Sequence, residues 1–149
     1  MKNNQTGDNI HADISSWDFG GNTPINFDNH IGKSVPGYHE GQQIIASYSD
    51  FFINLTSKKI YDIGCSTGKL LQTIEQRHPH KNISYVGIDI VPEMIKFAEH
   101  RKFIDRTRFK FDCNNAINYN FSEASIIISY YTLQFILPSV RQELVNKIY

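Results

Sequence analysis

From Ile60 onward the apolar residues alternate between two rhythms. Short apolar runs occur at Ile60-Tyr61-Asp62-Ile63, at Ile83 to Asp89, at Thr107 to Asp112 and at Ser125 to Tyr130, each the length of a strand. The last is a near-continuous apolar run, the pattern of a strand buried on both faces. Between the runs the spacing becomes helical. Leu70, Leu71 and Ile74 share one face of a helix that starts at Lys69 and ends at His78-Pro79. Pro92 opens another, which carries Met94, Ile95 and Ala98 to about Arg101. Pro138 opens a last amphipathic helix with Val140, Leu144, Val145 and Ile148. Upstream, Ser34-Val35-Pro36-Gly37-Tyr38 reads as a turn into a helix whose apolar positions are Ile44, Ile45, Tyr48, Phe51, Phe52 and Leu55. Strands alternating with helices predict an α/β protein with a parallel, doubly wound sheet. Ligands of such sheets bind beyond the C-terminal strand ends.

The N-terminal segment breaks the pattern. Met1 to Asn9 is Asn-rich and is expected to be mobile. Trp17, Phe19 and Phe27 follow among Gly, Asn, Asp and Pro24, which suggests an arm packed over the core or a lid over a ligand. With 149 residues the chain suits one domain. Lys+Arg and Asp+Glu both number 15, so no general basic face is available and direct nucleic-acid binding is not expected. No apolar run approaches membrane-spanning length and the N-terminus has no signal-peptide core, so the expected location is the cytoplasm. Two cysteines, Cys65 and Cys113, make no disulfide framework and are expected to be reduced.

Candidate chemistry gathers at the predicted strand ends. Ile60 to Gly68 reads as a strand, a glycine-bearing turn and a helix N-terminus, where free N–H groups and the helix dipole favour a ligand. Gly64 and Gly68 allow close backbone approach. Their G-x-x-x-G spacing is not the dinucleotide G-x-G-x-x-G. Asp89 follows Gly64 by 25 residues and suits the two hydroxyls of an adenosine ribose. Asp112 suits an exocyclic amine such as adenine N6, and Tyr130 closes the fourth strand. This spacing is compatible with both NAD and S-adenosylmethionine. Each residue alone also fits a plainer role: a βα turn without ligand, a helix cap, a solvated loop. His78 and His80 flank Pro79 and no histidine has metal-ligand spacing, so no metal is assigned. Cys65 lies near a helix N-terminus, where a thiol pKa can fall, but a small residue there also serves packing.

These residues carry a resemblance. Tyr61 to Gly68 resembles the first motif of class I S-adenosylmethionine-dependent methyltransferases, and Gly87-Ile88-Asp89 with Pro92 to Ile95 resembles the second. Ser34 to Tyr38, Thr132-Leu133-Gln134-Phe135 and the closing Arg141 to Tyr149 are similar to the carboxy-S-adenosylmethionine synthase branch. The similarity runs from about Phe27 to Tyr149 and implies an arm over residues 1–26, then the N-terminal part of a Rossmann-like domain over 27–149, truncated after the fourth strand. It implies S-adenosylmethionine, or its carboxylated derivative, as cofactor. Gly64, Cys65 and Ser66 would pack on the methionine part, with Gly68 closing the turn. Asp62 would lie near the amino group and Tyr38 would bind the carboxylate. Asp89 would hold the ribose with Ile90 beside it, and Asp112 and Cys113 would border the adenine. Three departures stand out: Ile90 where the synthases carry Asn, Tyr130-Tyr131 where they carry Asn-Phe, and Lys33 where they carry Arg. The implied activity is methyl transfer to an unidentified acceptor. The alternative is carboxy-S-adenosylmethionine synthesis with prephenate, for tRNA wobble-uridine modification. A non-catalytic nucleoside-binding or interaction module is the rival from another class. No catalytic residue is assigned. The implied strand order 3-2-1-4 leaves the fourth strand on an edge and suggests a homodimer.

Overall fold

The computed structural model describes residues 5–6, 10–13, 16–17, 23–54 and 56–149. Three short strands, β1 (Gln5–Thr6), β2 (Ile10–Asp13) and β3 (Ser16–Trp17), form a small antiparallel sheet. The expectations for Phe19, for the Trp17 ring and for Leu55 lie outside the described residues. Helix α1 (Thr23–Ser34) then occupies a segment expected to be irregular. Its Phe27 is buried. Gly37, at φ 75°, separates α1 from α2 (Tyr38–Phe52).

The main sheet contains β4 (Lys59–Ile63), β5 (Ser84–Asp89), β6 (Phe109–Cys113) and β7 (Ala124–Ile128), all parallel, in the order β6-β5-β4-β7. That is the expected 3-2-1-4. Helices α3 (Lys69–Arg77) and α4 (Pro92–Glu99) cross over between the first three strands, and α5 (Pro138–Ile148) ends the chain. Boundaries shift from the sequence reading most at the third and fourth strands. Thr107 and Arg108 belong to a single 3-10 turn capped by Asp105, whose carboxylate accepts the Thr107 N–H, so β6 starts two residues late. The fourth strand ends at Ile128, and Ser129 and Tyr130 lie beyond it.

Strand register divides the side chains between two faces. Ile60, Tyr85 and Phe109 align across one face, followed by Asp62, Gly87 and Phe111. This face packs under the helices, with Leu70, Leu71, Ile74, Ile95 and Ala98 in the same core. Tyr61, Val86 and Lys110, then Ile63, Ile88 and Asp112, point the other way. There a smaller cluster of Tyr61, Val86 and Ile88 is covered by Tyr119, Phe121 and Ile127.

Helix α2 presents a different side to the core from the one its apolar residues suggest. Tyr38, Gln42, Ala46 and Ser49 are buried, whereas Ile44, Tyr48, Phe51 and Phe52 are exposed, Phe51 to 81%. Small residues govern this packing. Ala46 and Ser49 let the helix approach closely, and the Ser49 hydroxyl donates to Ala46 O at 2.6 Å and lies 2.8 Å from His78 Nε2 at the end of α3. In α5 only Leu144 is buried.

Candidate functional site

The chain leaves β4 through Gly64, Cys65, Ser66, Thr67 and Gly68 before α3 begins. Gly64, Ser66 and Gly68 all have positive φ, at 72°, 48° and 74°. Backbone bonds join this turn to the neighbouring strand end: Gly64 N and Cys65 N both donate to Ile88 O, at 2.8 and 3.0 Å. Gly64 is required on two counts. Its conformation is left-handed, and a Cβ there would lie 2.3 Å from Thr132 Oγ1. Thr132 itself donates to Ile63 O at 2.8 Å, so the segment after β7 closes over the turn.

Asp89, at the end of β5, accepts from Ser66 N at 2.8 Å and from Val91 N at 3.0 Å. Burial raises its pKa, and these backbone donors oppose the rise. Asp62 is buried on the same face, one strand away. It accepts no hydrogen bond from any described side chain, and burial, with the Asp89 charge second, pushes its pKa up to about 8. A buried acid beside a second acid, with no cation beside it among the described residues, is an environment that a positively charged group relieves.

Tyr38, in the first turn of α2, completes this corner. Burial raises its phenol pKa, with the Asp62 charge next. Its ring centroid lies 5.1 Å from that of Tyr130 and 5.6 Å from that of Tyr131. The Tyr130 hydroxyl donates to Tyr38 O at 3.0 Å, over Gly41, where a Cβ would sit 2.0 Å from it. Tyr131 holds a positive φ of 55° and is exposed. Cys65 is buried, and burial pushes its thiol pKa well up. Ile90 is exposed beside Asp89, and the exposed Cys113 donates its thiol to Ile90 O at 3.8 Å. Both cysteines are free.

The structure therefore brings Tyr38, Asp62, Gly64, Cys65, Ser66, Gly68, Asp89, Ile90, Cys113 and Tyr130 to one end of the sheet. Asp112 stands at the same end of β6 but on the other face. Register turns its carboxylate to the opposite face, where Tyr119 Oη donates to it and Lys110 Nζ lies 2.7 Å away. It borders a groove of about 640 Å³ there, whose cations Lys59, Lys110 and Arg108 pair with Glu123, Asp112 and Glu75. Among the described residues no three His, Cys, Asp or Glu side chains cluster as a metal site would need.

Three residues that the sequence reading did not single out also belong to the turn. Thr67 Oγ1 donates to Asp28 Oδ1 at 2.6 Å, and Arg101 Nε donates to Thr67 O at 2.6 Å. No motif announces Asp28 or Arg101, because their meeting depends on how α1 and α4 dock.

A parallel α/β sheet with a glycine turn after its first strand and a carboxylate after its second is a fold of the Rossmann type, whose ligands sit beyond the carboxyl ends of the strands. Residues 60–149 match the methyltransferase domain family, and the chain belongs to that family. The carboxy-S-adenosyl-L-methionine synthase of a Nitratiruptor species is 38% identical over 125 residues, 83% of this chain and 51% of that protein. The synthase of Helicobacter pylori (strain Shi470) is 36% identical over 127 residues, 83% and 52% of the two chains. The chain thus spans about half the length of these curated relatives. The fold is shared with the plantazolicin methyltransferase BpumL in complex with SAH, at TM-score 0.64 and 20% identity over 85% of this chain and 48% of that one. It is also shared with the magnesium protoporphyrin IX methyltransferase of Synechocystis with bound SAM, at TM-score 0.56 and 16% identity over 72% and 52%.

Proposed function

We propose that this chain binds S-adenosylmethionine and belongs to a methyltransferase acting on an acceptor yet to be identified. The observation that carries this reading is the matched arrangement of Asp62 and Asp89 around the Gly64–Gly68 turn. Asp62, buried without a hydrogen-bonding partner among the described side chains, fits the ammonium of an amino acid. Tyr38 beside it offers a phenol to the carboxylate. Asp89 keeps acceptor capacity for ribose hydroxyls on oxygens already oriented by Ser66 N and Val91 N. Ile90 and Cys113 frame the place of the base. When bound, the cofactor supplies an electrophilic methyl on a sulfonium. The residues of this chain would hold and orient it and shield it from water.

Carboxy-S-adenosylmethionine synthesis is the second reading, favoured by the names of the relatives that match over most of this chain. Against it stand Tyr130 and Tyr131, where an Asn-Phe pair was expected from the resemblance. Mass spectrometry of the small molecule released from purified protein, with calorimetry against S-adenosylhomocysteine, tests both. Recovery of S-adenosylmethionine or its homocysteine product is the expected result. Recovery of the carboxylated form moves the assignment to the second reading. An empty protein that also gives no heat with S-adenosylhomocysteine overturns both.

A further inference from the structure

Thr67 is 1% exposed and lies between two residues in the left-handed region, Ser66 and Gly68. A non-glycine residue such as Ser66 holds that conformation only where its surroundings impose it. The residue next to it, Thr67, is held in a closed ring of hydrogen bonds. Asp28 of α1 accepts from Thr67 Oγ1 through Oδ1, at 2.6 Å, and from Arg101 Nη2 through Oδ2, at 2.5 Å. Arg101, just beyond α4, closes the ring by donating from Nε to Thr67 O at 2.6 Å. The hydroxyl and the carbonyl of Thr67 are thus each held by one member of a charged pair, whose Arg101 side chain is 12% exposed and whose Asp28 side chain is 33% exposed. Asp28 is also close enough to Tyr38 for its charge to act on that phenol, so α1 reaches the corner formed by Tyr38 and Asp62.

We propose that Asp28, Thr67 and Arg101 form a clamp that fixes the shape of the Gly64–Gly68 turn and holds α1 against it, making Asp28 and Arg101 positioning residues for the bound nucleoside. The mechanism is local. With Thr67 held, the Ser66 N–H points at Asp89, and that bond orients the carboxylate for a ribose. With Thr67 released, Ser66 relaxes from its φ of 48°, the Asp89 contact loosens and α1 loses its tether to the turn. Ligand in the cradle and α1 in place then favour each other. The ligand half of this inference rests on the cofactor reading above; the coupling of α1 to the turn does not.

The test uses the whole chain with Thr67→Val, Asp28→Ala, their double variant and Thr67→Ser. Hydrogen exchange of the ligand-free proteins is read at α1 (Thr23–Ser34) and at α3 (Lys69–Arg77), alongside calorimetry with S-adenosylhomocysteine. Expected are tenfold or faster exchange in α1 and unchanged exchange in α3 for Thr67→Val and Asp28→Ala. S-adenosylhomocysteine affinity should fall at least tenfold in both, and in the double variant it should fall no further than about twofold beyond either. Thr67→Ser, which keeps the hydroxyl, should restore wild-type behaviour. Should Thr67→Val fail to fold, Asp28→Ala and Thr67→Ser carry the same readouts. Unchanged α1 exchange in Asp28→Ala, or fully additive losses in the double variant, overturns the clamp. If α1 loosens as expected but even the wild-type protein binds no S-adenosylhomocysteine, the clamp stands and the cofactor reading falls.

Discussion

Asp62 sets the strongest pH dependence in the site. Its pKa is raised from 3.8 to about 8, so the folded protein binds a proton there that the unfolded chain releases. Between those two values stability falls as pH rises, with a limiting slope of about 1.4 kcal/mol per pH unit, and the full cost is present above pH 8. Asp62→Asn should therefore flatten the dependence of urea stability on pH between 5 and 9 and make the ligand-free protein more stable at pH 9. The same substitution removes the charge that meets an ammonium, so affinity for S-adenosylhomocysteine should fall. Wild-type binding at pH 7 should release a proton, which calorimetry in two buffers of different ionisation enthalpy detects. Asp89→Ala should weaken the ligand by roughly 10- to 150-fold, because hydrogen bonds to a charged group are worth about 1.5–3 kcal/mol. An affinity within threefold of wild type would remove Asp89 from the site. The placement of Gly64 and Asp89 was legible in the sequence from their positions at strand ends, and that of Asp62 from the family resemblance. Asp112 and Cys113 were harder to tell apart. They are neighbours on one strand, and alternation sends one to each face; only the pairing of Asp89 with Cys113 decides which.

At the level of elements, two glycines in the same conformation separate strain from space. Gly37 and Gly64 have φ of 75° and 72°, but nothing lies within 4 Å of a Cβ at Gly37, whereas Thr132 would be struck at Gly64. Gly37→Ala should cost about 1–2 kcal/mol for the left-handed backbone alone. Gly64→Ala adds overpacking of roughly 1–3 kcal/mol and displaces the segment that closes the turn. Urea denaturation compares the two; equal losses would mean that Thr132 moves aside freely. Helix α2 shows where periodicity stops being informative. Its apolar spacing predicts a helix, and a helix forms. Of the apolar positions that spacing names, Ile45 packs against the core while Ile44, Tyr48, Phe51 and Phe52 are exposed, because close approach through Ala46 and Ser49 and the buried Tyr38–Gln42 pair set the packed side. Helix α1 went unread for a related reason. Its apolar residues Ile25, Phe27 and Ile31 are interspersed with Asn, Asp, His and Gly, and hydrogen bonds that hold the helix run through Asp28 to residues far along the chain.

For the molecule as a whole, strand order followed from the alternation of elements together with the family resemblance. Its consequence is that, among the described residues, β7 pairs on one side only, with β4. Ile126 and Ile127 are partly buried on that edge strand, and the exposed side of α2 adds Phe51 and Phe52 to the apolar surface. Unpaired backbone groups beside apolar side chains favour strand pairing between copies. Size-exclusion chromatography with light scattering should show self-association of the 149-residue chain at tens of micromolar. A monodisperse monomer would go against it. The site also has a history within folding. Its walls come from distant parts of the chain: Thr132 reaches Ile63 across 69 residues, Arg101 reaches Asp28 across 73, and Tyr130 reaches Tyr38 across 92. Contacts of such separation form only after long loops have closed, so they belong on the native side of the rate-limiting barrier. A ligand that needs all of them has nothing to hold until the barrier is crossed. In stopped-flow experiments S-adenosylhomocysteine should therefore slow unfolding in proportion to the stability it adds and leave the refolding rate unchanged.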